Sequence, residues 1–99
     1  MLLIVAFLFS TFISFGQILT FDFNGLTGNE VSANSNFNNP NLAASIITRG
    51  SGLTATAAPN RFNATSWALT NIANAVIGND YMEFTITPSA GFQFDVTTI

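Results

Sequence analysis

Asp80–Val96 reads DYMEFTITPSAGFQFDV, and its alternation decides the fold class. Met82, Phe84 and Ile86 fall on one side of an extended chain; Tyr81, Glu83, Thr85 and Thr87 fall on the other. Successive side chains of a strand point to opposite faces, so this is the pattern of a half-buried strand. Pro88 lacks an N–H and ends it. Ser89, Ala90 and Gly91 have turn chemistry, and Gly91 can take a positive φ. Alternation then resumes, with Phe92, Phe94 and Val96 inward and Gln93, Asp95 and Thr97 outward. Two alternating runs joined by a short Pro/Gly turn predict a β-hairpin.

Moving toward the N-terminus, Thr70–Gly78 breaks the period of two. Ile72, Ala73, Val76 and Ile77 recur at helical spacing, with Thr70 to cap the start and Gly78 the end, which predicts a short connecting helix. Arg61–Ala68, Leu53–Ala57, Leu42–Thr48 and Ile18–Phe23 are predicted strands, and Arg49–Gly52 is a predicted turn. In the first strand Leu19, Phe21 and Phe23 share a face opposite Thr20 and Asp22. Leu26–Asn41 is predicted as a long loop. With Asn24 it holds seven of the chain's twelve asparagines, residues that bond their own backbone and tolerate left-handed conformations. It reads either as solvated turn chemistry or as a binding loop. Strands spaced by about ten residues predict an all-β, antiparallel sandwich of jelly-roll type. Five or six strands fall short of the eight of a jelly roll, and the strand pattern is still running at Ile99, so residues 17–99 are expected to form the N-terminal portion of such a domain.

Composition excludes more than it suggests. The 99 residues carry no histidine, no cysteine and no lysine, and the formal net charge is −3. Disulfides, thiolate metal sites, the usual zinc sites and Ser-His-Asp triads are therefore excluded. Only 7% of residues are charged, too few cations to neutralise a run of phosphates, so no nucleic-acid partner is expected. Hydrophobic residues make up 48%, with 11 phenylalanines, enough to furnish a core.

Met1–Phe15, MLLIVAFLFSTFISF, is an apolar run broken only by Ser10, Thr11 and Ser14. It is shorter than the roughly 20 residues of a membrane span, and it ends in Ser14 and Gly16, small residues at signal-peptidase spacing. Residues 1–16 are predicted as a secretory signal peptide, with Gln17 as the mature N-terminus and no stable membrane span after its removal. No Lys or Arg precedes the run, so a membrane anchor and a buried strand stay open as alternatives.

FDFNGLTGNE (Phe21–Glu30), LAASIITRGSGL (Leu42–Leu53), FNATSWA (Phe62–Ala68) and NDYMEFTITPSAGFQFDVTTI (Asn79–Ile99) together resemble the opening of a secreted β-sandwich domain. That domain begins many large extracellular proteins of Bacteroidetes-type bacteria, proteins that often end in a type IX secretion sorting domain. The resemblance covers nearly all of the chain after the leader. It implies the sandwich fold, a secreted or cell-surface location and further domains in a longer chain; it implies no activity at particular residues.

Candidate chemistry is sparse. Asp22 and Asn24 at a strand end, with Asp80 at the start of the hairpin, offer the oxygen ligands that a structural calcium ion takes; ordinary turns use the same residues. Trp67 and Tyr81, each the sole residue of its type, could stack on a sugar ring, although a tryptophan more often fills a core. Glu83 and Asp95 share the outward face of the predicted hairpin, where paired carboxylates could serve glycoside hydrolysis or simply solvate the surface. Arg49 and Arg61 are the only cations, each suited to a structural ion pair or a sugar hydroxyl. Asn63-Ala64-Thr65 matches a glycosylation acceptor, a pattern frequent by chance. The expectation is a secreted, non-catalytic binding or adhesion module for carbohydrate or another cell-surface ligand. The alternative is the front of a secreted hydrolase whose active site lies beyond Ile99. Expression in an exporting bacterial host is expected to release a chain beginning at Gln17, as read by intact mass; the full-length mass held in the membrane fraction would identify an anchor instead.

Overall fold

The computed structural model describes residues 16–68 and 70–98; Met1–Phe15 of the predicted leader lies outside them. Among the described residues the chain is mostly short strands in antiparallel sheets with one short helix, a small all-β fold. The elements are β1 (Leu19–Thr20), β2 (Ser32–Asn34), β3 (Phe37–Asn38), β4 (Ile46–Arg49), β5 (Thr54–Ala55), β6 (Ala64–Thr65), α1 (Ile72–Gly78) and β7 (Met82–Glu83). Among the described residues no helix is long and apolar enough to cross a membrane.

The central sheet runs β2-β4-β7. Ala33 pairs with Ile47 on one side of β4, and Glu83 pairs with Thr48 on the other. The 41–50 and 81–89 segments stay together well beyond β4 and β7. Gly50 N donates to Tyr81 O at 2.8 Å, Ala43 N to Thr87 O at 2.9 Å and Ser89 N to Asn41 O at 2.9 Å, and Leu42 bridges Pro88. Six residues take the chain from Thr48 back to Leu42, but five take it from Glu83 to Pro88. The 42–48 side therefore carries one extra residue, a β-bulge. Ser45 sits there, 3% exposed. Its hydroxyl donates to Thr85 O at 2.8 Å and its N–H to Ser35 Oγ at 3.0 Å, so both buried polar groups have partners.

The predicted hairpin is thus corrected. Asp80–Thr87 is extended as expected, but its partner is Asn41–Gly50, and Phe92–Thr98 joins no ladder among the described residues. The turn itself forms: Phe92 N donates to Ser89 O at 3.0 Å, and Gly91 has φ 85°. Pro88 lies at the last bridge, where a missing N–H costs nothing to a chain about to leave the sheet. The predicted long loop is also corrected, because β2 and β3 lie inside it. Thr20 pairs with Phe37 and Leu19 with Asn38. The other two-stranded sheet pairs Thr54 with Thr65 and Ala55 with Ala64.

Helix α1 starts one residue later than its predicted cap. The Asn71 side chain, rather than Thr70, accepts the Asn74 N–H at 2.8 Å. Thr70 instead takes Asn74 Nδ2 at 2.7 Å. The helix ends on Asn79 in the left-handed region, with Asp80 N returning to Ala75 O at 2.8 Å, an asparagine doing what glycine usually does. No residue of α1 is buried. Its exit lies against the turn before β5. A Cβ on Gly52 would collide with the Asp80 carboxylate and the Gly78 carbonyl, and one on Gly50 with the Asn79 carbonyl. Both glycines are there because backbone approaches backbone.

Among the described residues the buried apolar side chains are Ala33, Leu53 and Phe62, the last 5% exposed. A file of rings leads to Phe62. Phe84 meets Phe21 edge-on at 5.4 Å, Phe21 stacks on Phe23 at 6.2 Å, and Phe23 stacks on Phe62 at 6.0 Å. Phe21 and Phe23 share a face, as the alternation requires. The file ends under Arg49, whose guanidinium carbon lies 3.5 Å from the Phe62 centroid. Arg49 Nε donates to Asn63 O at 2.8 Å, one terminal nitrogen to Gly28 O at 2.8 Å and the other to Glu30 O. Arg49→Lys is expected to lower the unfolding free energy by about 2 kcal/mol or more, since a single ammonium cannot serve three diverging carbonyls and each one left unsatisfied costs about 1–3 kcal/mol. A fall in the urea midpoint at unchanged slope checks it.

Candidate functional site

Three chain segments meet around an open cleft of about 190 Å³ lined by Ile18, Asn39, Asn41, Leu42, Phe92, Gln93 and Phe94. Backbone bonds bring them together. Asn39 N donates to Ile18 O at 2.8 Å, carrying the β1–β3 pairing one residue further. Around Pro40 the chain folds back on itself, with Asn41 N donating to Asn39 Oδ1 at 3.0 Å and Leu42 N to Asn39 O at 2.9 Å. Asn41 O then receives Ser89 N, and the Ser89–Phe92 turn delivers Phe92–Phe94 to the opposite wall.

The lining has two kinds of surface. Ile18, Leu42, Phe92 and Phe94 are apolar, and Phe92 is 54% exposed. Asn39, Asn41 and Gln93 are planar, uncharged amides that both donate and accept. Among the described residues the Asn41 amide and Asn39 Nδ2 make no protein hydrogen bond, which leaves them for a ligand or water. Gln93 Nε2 donates to Asp95 Oδ2 at 3.1 Å. The residues that line it are all uncharged, and the nearest carboxylate along the chain is Asp95, bonded to Gln93.

None of the site residues expected from the sequence lines this cleft. Trp67 is 43% exposed, not a core residue, and its indole N–H is committed to Ala64 O at 3.0 Å. Tyr81 is half-buried, with its hydroxyl 3.3 Å from Asn79 Oδ1. Asp22 and Asn24 do come together, in a turn where Asp22 Oδ1 accepts Asn24 N at 2.9 Å. Asp80 lies against Gly52 and Gly78 and shares no hydrogen-bond partner with that pair among the described residues. No group of three or more His, Cys, Asp or Glu side chains that could hold a metal occurs among the described residues. Glu83 and Asp95 lack the ladder that would have set them face to face, because Glu83 pairs with Thr48. Asn63 is half-buried, with Nδ2 3.3 Å from Thr56 O.

The cleft residues were hidden by their own regularity. Phe92-Gln93-Phe94 has strand alternation whether or not it enters a ladder. Asn39 and Asn41 did carry a signal, the asparagine cluster on either side of Pro40, which allowed a binding loop. No family model, curated protein or solved structure matches the chain.

One carboxylate departs from ordinary behaviour. Glu30 accepts the Thr27 hydroxyl at 2.7 Å, the Thr27 N–H, and the Gly28 N–H at 2.9 Å. These bonds, the Thr27 hydroxyl foremost, hold its carboxyl at about 2 against 4.5 ordinarily. The folded value is depressed, so the bonds stabilise the fold fully above pH 4.5 and lose that effect as pH falls through about 2. Glu30→Gln is expected to flatten this part of the acid-unfolding curve, and a carboxyl-carbon NMR titration should place the Glu30 midpoint well below 4.5.

Proposed function

We propose that this chain is a non-catalytic, extracellular binding module whose ligand is carbohydrate, held in the cleft between Asn39–Leu42 and Phe92–Phe94. The observation that carries the reading is the lining itself: exposed aromatic and aliphatic surface interleaved with uncharged amides. A sugar ring has the matching character, with an apolar C–H face that packs on an aromatic ring and a rim of hydroxyls that need donors and acceptors once desolvated. An aromatic-and-amide cleft without a titratable group suits holding a sugar rather than cleaving one. The apolar Met1–Phe15 segment followed by small residues supports export, and a net charge of −3 without lysine disfavours polyanionic partners. The antiparallel pairing throughout and the spacing of the strands support a sandwich of jelly-roll type as the framework.

Isothermal titration of the exported chain with neutral oligosaccharides is expected to give saturable binding. Phe92→Ala should weaken it at least tenfold, about 1.4 kcal/mol, with an unchanged thermal midpoint because Phe92 is half out in solvent. Absence of binding across gluco-, galacto- and manno-configured oligosaccharides would remove the carbohydrate reading.

A further inference from the structure

We propose that the cleft admits a single uncharged sugar ring and rejects the corresponding uronic acid, with the Gln93–Asp95 pair setting the discrimination. This rests on the carbohydrate reading above and goes beyond it to the class of sugar.

Size comes first. A cleft of about 190 Å³ is smaller than the roughly 300–1,000 Å³ that encloses a drug-sized ligand. That size suits one six-membered ring with its hydroxyls.

Charge comes second. No cation lines the cleft. Arg49 is spent on the carbonyls of Gly28, Glu30 and Asn63, and Arg61 is not among the lining residues. A ligand carboxylate entering here would lose water and gain no ionic partner, which is costly.

Orientation comes third. Gln93 Nε2 is turned to Asp95 Oδ2 at 3.1 Å, which uses one of its two N–H donors and holds the carboxylate beside the lining. The amide Oε1 takes a hydroxyl hydrogen and repels a carboxylate oxygen. Asp95 adds its own negative charge one side chain behind the lining, where it acts on an acidic ligand and barely on a neutral one. The device is one of exclusion: the competitor is refused by an unfavourable contact, not merely bound less well.

The test pairs methyl glycosides of glucose, galactose and mannose with the methyl glycosides of their uronic acids, titrated into the exported chain at low salt. The neutral member of at least one pair is expected to bind tenfold or more tightly than the acidic one, with the gap narrowing in 0.5 M NaCl, where the Debye length falls to a few ångströms. Asp95→Asn keeps an acceptor for Gln93 Nε2 while removing the charge, and should shrink the neutral-to-acidic ratio at least threefold. Glu83→Gln, which changes net charge equally at an exposed strand position outside the cleft, should leave the ratio unchanged. Equal binding within each pair overturns the discrimination and leaves the carbohydrate reading standing, as does an equal response to the two substitutions. Binding of neither member in every pair overturns both.

Discussion

The guanidinium of Arg49 is the point on which this fold depends. It lies on β4, the middle strand of the central sheet, and its three donations end on backbone carbonyls of two other stretches of chain: Gly28 and Glu30 before β2, and Asn63 before β6. Buried carbonyls need donors, and a planar fork with five N–H groups can reach several from one side chain. Burial draws the group below its ordinary range, with the charge of Glu30 opposing, and the guanidinium stacks on the buried ring of Phe62. In a chain with only two cations, one of them has become a fastener between backbone segments.

Around that fastener the structure is assembled from short pieces. Thr27 O receives Ala58 N at 2.8 Å, Leu26 O receives Asn60 N at 2.9 Å and Gly28 O receives Asn63 N at 2.9 Å, so the 26–28 and 58–63 segments are bound together without forming a regular ladder. Gly28, with φ 101°, belongs to this contact, because a Cβ there would meet the Ala58 backbone. The file of phenylalanines joins the same region to Phe84, just beyond β7. Few side chains are fully buried; the fold is held by backbone bonds, by side chains that bond backbone, and by rings packed in sequence.

The two best strands were legible because alternation reports faces: Leu42–Thr48 and Asp80–Thr87 are both extended, and Phe21 with Phe23 does share a side. What alternation does not report is partnership. Phe92–Val96 has the same period as Asp80–Thr87 and follows a competent turn, so the local pattern favoured pairing the two. The actual partner, Asn41–Gly50, lies some forty residues away, and it fits only with an extra residue at Ser45 that no hydrophobic pattern announces. The asparagine-rich stretch has the composition of turns, and that composition predicts a loop. Yet Phe37 and Asn38 pair with β1, and several of the asparagines bond backbone in the process: Asn36 Oδ1 accepts Asp22 N at 2.7 Å, and Asn39 Oδ1 accepts Asn41 N. The cleft was the least legible feature, since it exists only where Ile18, Asn39–Leu42 and Phe92–Phe94 converge, and convergence is a property of topology.

Helix α1 has a different standing from the sheets around it. Its seven residues fall below the length of about 12–15 at which an isolated helix holds in water. Ile72 and Ile77 are 83% and 80% exposed, so no packed face compensates. What retains it is its two ends: Asn71 and Thr70 at the start, and Asn79 with Asp80 against the paired glycines at the finish. An element secured only at its ends is the natural first unit of partial opening. Its exit is tied to the turn after β4 through Gly50 and Gly52, so opening of its inner hydrogen bonds is separable from the β4–β7 pairing only as long as that contact holds.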